Sequence, residues 1–106
     1  MGKARTLVET YRRFGEVEVA DASPVSARIA IAISNSEQAL RAIENAPARK
    51  RQPKLILSAL HDLALAGRAP ALAAAYASGD GNAVAAAAID TLLRMTDSVV
   101  SLATQR

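Results

Sequence analysis

In the stretch NAPARKRQPKLIL, Asn45 to Leu57, four cations fall within six residues: Arg49, Lys50, Arg51 and Lys54. Pro53 and a run of apolar residues sit at its end, so the cluster stands just before, and in, the first turn of a helix. A helix N-terminus carries amide donors without intrahelical acceptors and a partial positive charge, and it therefore welcomes an anion. Added side-chain cations strengthen the attraction to phosphate or nucleic acid, or to the carboxylates of an acidic partner surface. Without a ligand the same cations are mildly unfavourable there, and Glu44 is the nearest acid. No aromatic residue interleaves the cluster for base stacking, and no glycine-rich loop accompanies it. A solvated loop, a contact for an acidic protein surface or a missing domain, and an anion or nucleic-acid site all fit these residues.

The second set is Ser58, His61 and Asp62. Together with Lys54 they fall at i, i+4, i+7 and i+8, one polar stripe on an otherwise apolar helix. Ser58 and His61 approach each other at i,i+3, but His61 and Asp62 are adjacent and splay by about 100°. A nucleophile would also need an oxyanion hole, for which there is no motif. The stripe reads first as the watered side of a buried helix, and second as part of an enzyme using His61 as acid or base. With no cysteine and a single histidine, neither a metal site nor a cofactor is expected. The turn SGDGN (Ser78 to Asn82) lacks the spacing and closing glutamate of a calcium loop. Asp90 and Asp97, with Arg94 between them, read as a solvated salt-bridge ladder.

Elements that position these residues follow from period and punctuation. Leu7, Val8, Tyr11 and Phe14 recur at helical spacing, giving a helix over about 4–14 that Gly15 ends or interrupts. GEVEVAD beyond it is irregular or a helix extension. Ser23 and Pro24 form a helix start, with serine as N-cap and proline at the first position. Residues 29–33, IAIAI, have the period and β-branching of a strand, yet the start signal and the lack of a partner strand favour a helix over 24–33. Ser34 and Glu37 match a capping box for a short helix ending near Asn45. Pro53 opens a helix over about 53–66 that Gly67 stops. Apolar residues cover most of its circumference, which makes it the central, buried element. Pro70 opens a short helix to about Tyr76, and a last helix is expected over 83–103.

The order of these segments resembles the N-terminal part of a bacterial family of uncharacterised proteins. Three stretches carry the likeness: SPVSARIAIAIS, PARKRQPKLILSALHDLALAG and ALAAAYASGD. Within them Ser23, Pro24, Pro47, Arg51, Pro53, Leu55 to Leu57, Ala59, His61, Leu63, Leu65, Leu72, Ala73 and Tyr76 match the family pattern. Ser26 stands where the pattern has an aromatic residue, Lys54 where it has asparagine, and Ala77 where it has proline; Gly79 also departs from it. The resemblance covers most of this chain but about the first third of a typical member. It implies a fold neighbourhood and a longer C-terminal part, and it transfers no catalytic residue.

Composition bounds the rest. A chain of 106 residues builds one modest core. Alanine is the commonest residue in its 51% hydrophobic content, with only 3% aromatic residues, and alanine favours helices while burying little area. The formal charge of +3 becomes −1 without the four clustered cations, so the basicity is local, unlike the broad footprint of a dedicated nucleic-acid binder. No run reaches the length of a membrane span, and the N-terminus lacks the apolar segment of a secretory signal. It matches a myristoylation pattern through Gly2 and Thr6, a motif too short to carry lipidation alone. The expectation is a cytoplasmic, all-α, single domain of residues 1–106: a small irregular bundle of five or six helices around the helix at 53–66. It would be a non-catalytic module that packs on itself, on a partner or on a missing C-terminal domain.

Overall fold

The computed structural model describes the backbone of residues 3–20, 24–44 and 52–105, and side chains over 6–17, 25–44 and 52–105. Ser23, Pro47, Arg49, Lys50 and Arg51 lie outside the described residues. Among the described residues seven helices follow one another: α1 (Lys3–Ala20), α2 (Pro24–Asn35), α3 (Glu37–Ile43), α4 (Pro53–Leu65), α5 (Pro70–Ser78), α6 (Gly81–Arg94) and α7 (Thr96–Thr104). Among the described residues there is no strand. The fold is an all-α bundle with a Cα radius of gyration of 12.4 Å.

The helix starts at Pro24, Pro53 and Pro70 all stand where proline's fixed φ and missing amide predict them. So does the stop after α4. Gly67 has φ 73°, Arg68 donates its amide to the Leu63 carbonyl at 3.0 Å, and Gly67 donates to Ala64 at 3.1 Å, the pair of bonds that closes a helix through a left-handed residue. Gly79, φ 75°, ends α5 in the same conformation. Asp80 then caps α6, accepting from the Asn82 amide at 3.0 Å.

Three local expectations differ from the structure: the role of Gly15, the cap of α3 and the unity of the last helix. Gly15 does not end α1, which continues through GEVEVA to Ala20. It is buried at the crossing of α1 on α2, where an added Cβ would lie 2.9 Å from Ile31 Cγ1 and 3.4 Å from the Ala27 carbonyl oxygen. The glycine lets two helix backbones approach closely, and the many residues shared between α1 and α2 show the result. Residues 29–33 lie in α2, in agreement with the helix expected over 24–33: Ile29, Ala30 and Ile33 are buried and Ile31 is exposed, a helical and not an alternating pattern. Ser36, not Ser34, caps α3, its Oγ accepting from the Ala39 amide at 3.1 Å. Ser34 remains inside α2 and donates back to the Ile31 carbonyl at 2.8 Å.

The last helix is two. At Met95 the backbone leaves the helical region, φ −122° and ψ 35°, and the Thr96 hydroxyl donates to the Leu92 carbonyl at 2.7 Å. A threonine hydroxyl bonding back one turn competes with the helix ladder and bends it. The break lets α6 pack on α2 and α5 while α7 turns to pack on α4. It also ends the expected ladder: Arg94 pairs with Asp90 at 3.2 Å on exposed α6, and Asp97 opens α7.

The core is shared among all seven helices. Tyr11, Ile29, Ile33, Ile43, Ile56, Leu60, Leu63, Leu72, Leu92, Val84 and Val99 are its large, fully buried side chains. Each contributes roughly 1.5–3 kcal/mol relative to exposure, several times what a buried alanine gives. α4 is the element that touches α1, α2, α5, α6 and α7. Its Ile56, Leu57, Ala59, Leu60, Leu63 and Ala64 are buried, whereas Lys54, His61 and Leu65 face out. The apolar coat is therefore wide but not complete, and Leu65 is 74% exposed.

Candidate functional site

The outward side of α4 forms one wall of an open groove of about 500 Å³. Lys54, Ser58 and His61 reach it from α4 because positions i, i+4 and i+7 share a helix face, and Leu57 lies beneath them. α2 contributes Val25, Ser26 and Ile29, α1 contributes Phe14, and α5 contributes Tyr76. The floor is apolar: Ile29 and Leu57 are buried, and Phe14 and Val25 half-buried. Around it stand an ammonium, two hydroxyls, an imidazole and a phenol.

The His61 and Tyr76 rings meet edge to face, with centroids 5.4 Å apart and planes at 86°. That contact favours one ring orientation through the aromatic quadrupole. His61 is exposed, and among the described residues its imidazole has no hydrogen-bond partner. Burial raises the Tyr76 phenol above its ordinary pKa of 10.0, so at neutral pH it is a neutral hydroxyl able to donate or accept.

Of the residues singled out in the sequence, the structure brings Lys54, Ser58 and His61 together. Asp62, the fourth member of the stripe, is half-buried and is not among the residues around the groove; its position about 100° round the helix from His61 accounts for this. A Ser–His–Asp arrangement is thus not assembled on α4. The N-terminus of α4 offers an anion less than the sequence suggested. Gln52 caps it without a side-chain bond, Pro53 has no amide hydrogen, and the Leu55 and Ile56 amides both donate to the Gln52 carbonyl, at 3.1 and 3.2 Å. Among the described residues only the Lys54 amide of that turn lacks a backbone acceptor.

Nothing local in the sequence marks Phe14, Ser26, Ile29 or Tyr76 as residues of this groove. Phe14 and Ile29 have the spacing of ordinary core positions. Only tertiary packing places them beside α4.

A model of the family described as "Uncharacterized protein conserved in bacteria (DUF2332)" matches residues 8–106. The chain belongs to that family. Comparison with curated proteins and with solved structures found no match. The three stretches that carry the family likeness now acquire a spatial meaning. Every described residue around the groove except Phe14 comes from them: Val25, Ser26 and Ile29 from the first, Lys54, Leu57, Ser58 and His61 from the second, and Tyr76 from the third. Segments far apart in this DUF2332 chain converge on one surface. A second groove, of about 360 Å³, lies between α1 and α3 at the end of α2 and is lined by Val8, Ser34, Leu40 and Arg41 with the acids Glu37 and Glu44. Arg41 pairs with Glu37 there at 3.1 Å, within α3 itself.

Among the described residues no single helix is long and apolar enough to cross a membrane.

Proposed function

We propose that this DUF2332 chain is a non-catalytic helical binding module whose working surface is the groove between α1, α2, α4 and α5. The observation that carries the reading is convergence: α2, α4 and α5 direct polar side chains over an apolar floor to which α1 adds Phe14, which is the usual make-up of a small-ligand site. The imidazole argues for binding and against acid–base work. A catalytic histidine is normally oriented by a third group that fixes its tautomer and steadies its charge, and Asp62 lies outside the groove.

A module that packs on itself or on a partner needs apolar surface left without cover. Most of that coat closes inside the chain, since Val84, Ala88, Leu92, Val99 and Ala103 are buried. Among the described residues the exposed large hydrophobic ones are Val17, Ile31, Leu65 and Leu93, one on each of four helices, and singly exposed apolar residues are ordinary. Those facts favour the groove over a broad self-association face. The nucleic-acid reading keeps Lys54 as its one described cation.

Two-dimensional NMR of the labelled chain tests the proposal, with phenol, benzamide and phenylacetate as separate millimolar probes. The reading expects the perturbed resonances to concentrate at Ser26, Lys54, Ser58, His61 and Tyr76. Perturbation centred elsewhere, or none with any probe, overturns it.

A further inference from the structure

We infer that the groove's ligand is a small organic monocarboxylate, one carboxylate on an aromatic or aliphatic body. This rests on the groove being the binding surface and goes on to its chemistry. Lys54 supplies a full positive charge, and Ser26, Ser58, His61 and Tyr76 supply groups that can donate to an oxyanion. Among the described residues around the groove there is no aspartate or glutamate, so nothing there repels an anion or neutralises Lys54. The α1/α3 groove is the contrast: its arginine is paired with Glu37, and with Glu44 its lining carries a net negative charge that repels an incoming anion.

The count of charges sets the class. Among the described residues around the groove one cation matches one negative charge, whereas a phosphate monoester carries about −1.5 to −2 at neutral pH and would be left partly uncompensated by it. The apolar floor of Phe14, Val25, Ile29 and Leu57 calls for a body as well as a head. Its volume of about 500 Å³ lies in the range of small-molecule sites. Lys54 is exposed at the start of α4, where its flexible stem lets the ammonium follow a carboxylate.

The test compares phenylacetate, its neutral isostere phenylacetamide, and phenyl phosphate, on the full chain and on Lys54→Met, with the single histidine as an unambiguous NMR reporter. Phenylacetate should bind about tenfold more tightly than the amide, the worth of one charge-assisted hydrogen bond. Lys54→Met should erase that preference while leaving the weaker amide binding in place. If the amide binds in the groove as well as the acid does, the carboxylate inference fails and the groove reading stands. If phenyl phosphate binds more tightly than phenylacetate, the monoanion argument fails. If none of the three perturbs the groove, the binding-module reading itself fails.

Discussion

Replacing Tyr11 by phenylalanine should make this protein more stable, and most of all in alkali. Tyr11 is fully buried, and its hydroxyl has no hydrogen-bond partner among the described residues. A buried donor left unsatisfied costs about 1–3 kcal/mol in lost hydration. Phenylalanine keeps the ring in the core and removes the orphan hydroxyl, at the expense of a void one oxygen wide. The net gain at neutral pH should be about 1–2 kcal/mol, and each kcal/mol raises the melting temperature of a chain this size by about 4–8 °C. The pH dependence adds a second signature. Burial pushes the Tyr11 phenol far above its ordinary pKa of 10.0, so between these values the folded chain keeps a proton that the unfolded chain releases. Stability is then intact below pH 10 and falls as pH rises above it, by about 1.4 kcal/mol per unit for one proton. Tyr11→Phe has lost that term, while Tyr76, shifted in the same direction, remains in both proteins and cancels. The gap between the two proteins should therefore widen to about 2.5–3.5 kcal/mol at pH 11. Urea unfolding followed by far-ultraviolet circular dichroism at pH 7 and at pH 11 measures both numbers. A Tyr11→Phe protein that is less stable at pH 7 by 1 kcal/mol or so would mean the hydroxyl has a partner, and the reasoning fails. A gap that does not widen with pH would refute the protonation argument.

Two further substitutions test the packing. Gly15→Ala should destabilise by about 1–2 kcal/mol, because overpacking against Ile31 and the Ala27 carbonyl outweighs the helix propensity gained. In an Ile31→Ala background the same change should turn neutral or stabilising, by up to about 1 kcal/mol, and thermal melts of the four proteins of this cycle give the sign. Ser36→Ala should cost about 1 kcal/mol through loss of the α3 cap, and more than Ser34→Ala, whose hydroxyl only bonds back within α2. The reverse order in chemical denaturation would restore Ser34 as the cap.

How far the sequence revealed this structure depends on whether the signal was local. Proline at 24, 53 and 70 and glycine at 67 act through their own backbone, and the helix boundaries they imply stand. Gly15 carries the same local signal, yet its role is set by α2, a partner that no reading of 4–14 contains. The break at Met95 has neither glycine nor proline to announce it. It depends on α7 turning to cover α4, and the one local trace is the threonine that follows. The site divides the same way. Lys54, Ser58 and His61 were legible as a stripe because a helix face is a matter of spacing. Asp62, one residue beyond His61 and about 100° round the helix from it, is not among the residues around the groove. Phe14, Ser26 and Tyr76 join it only through the fold, although two of the three lie in stretches of family likeness. The basic cluster that dominates the sequence enters the described site through Lys54 alone.

The groove itself is tested by blocking it. Ser58 is half-buried in its wall, so Ser58→Trp should fill the space with little effect on the helices around it. Phenylacetate titrated into the unmodified chain should shift the resonances of Ser26, Lys54, His61 and Tyr76 together along one binding curve. In Ser58→Trp, with an unchanged far-ultraviolet spectrum, those shifts should vanish. Shifts that persist at full amplitude in the blocked protein, or that map to the α1/α3 groove in either one, would contradict the assignment of this surface as the place where the protein binds.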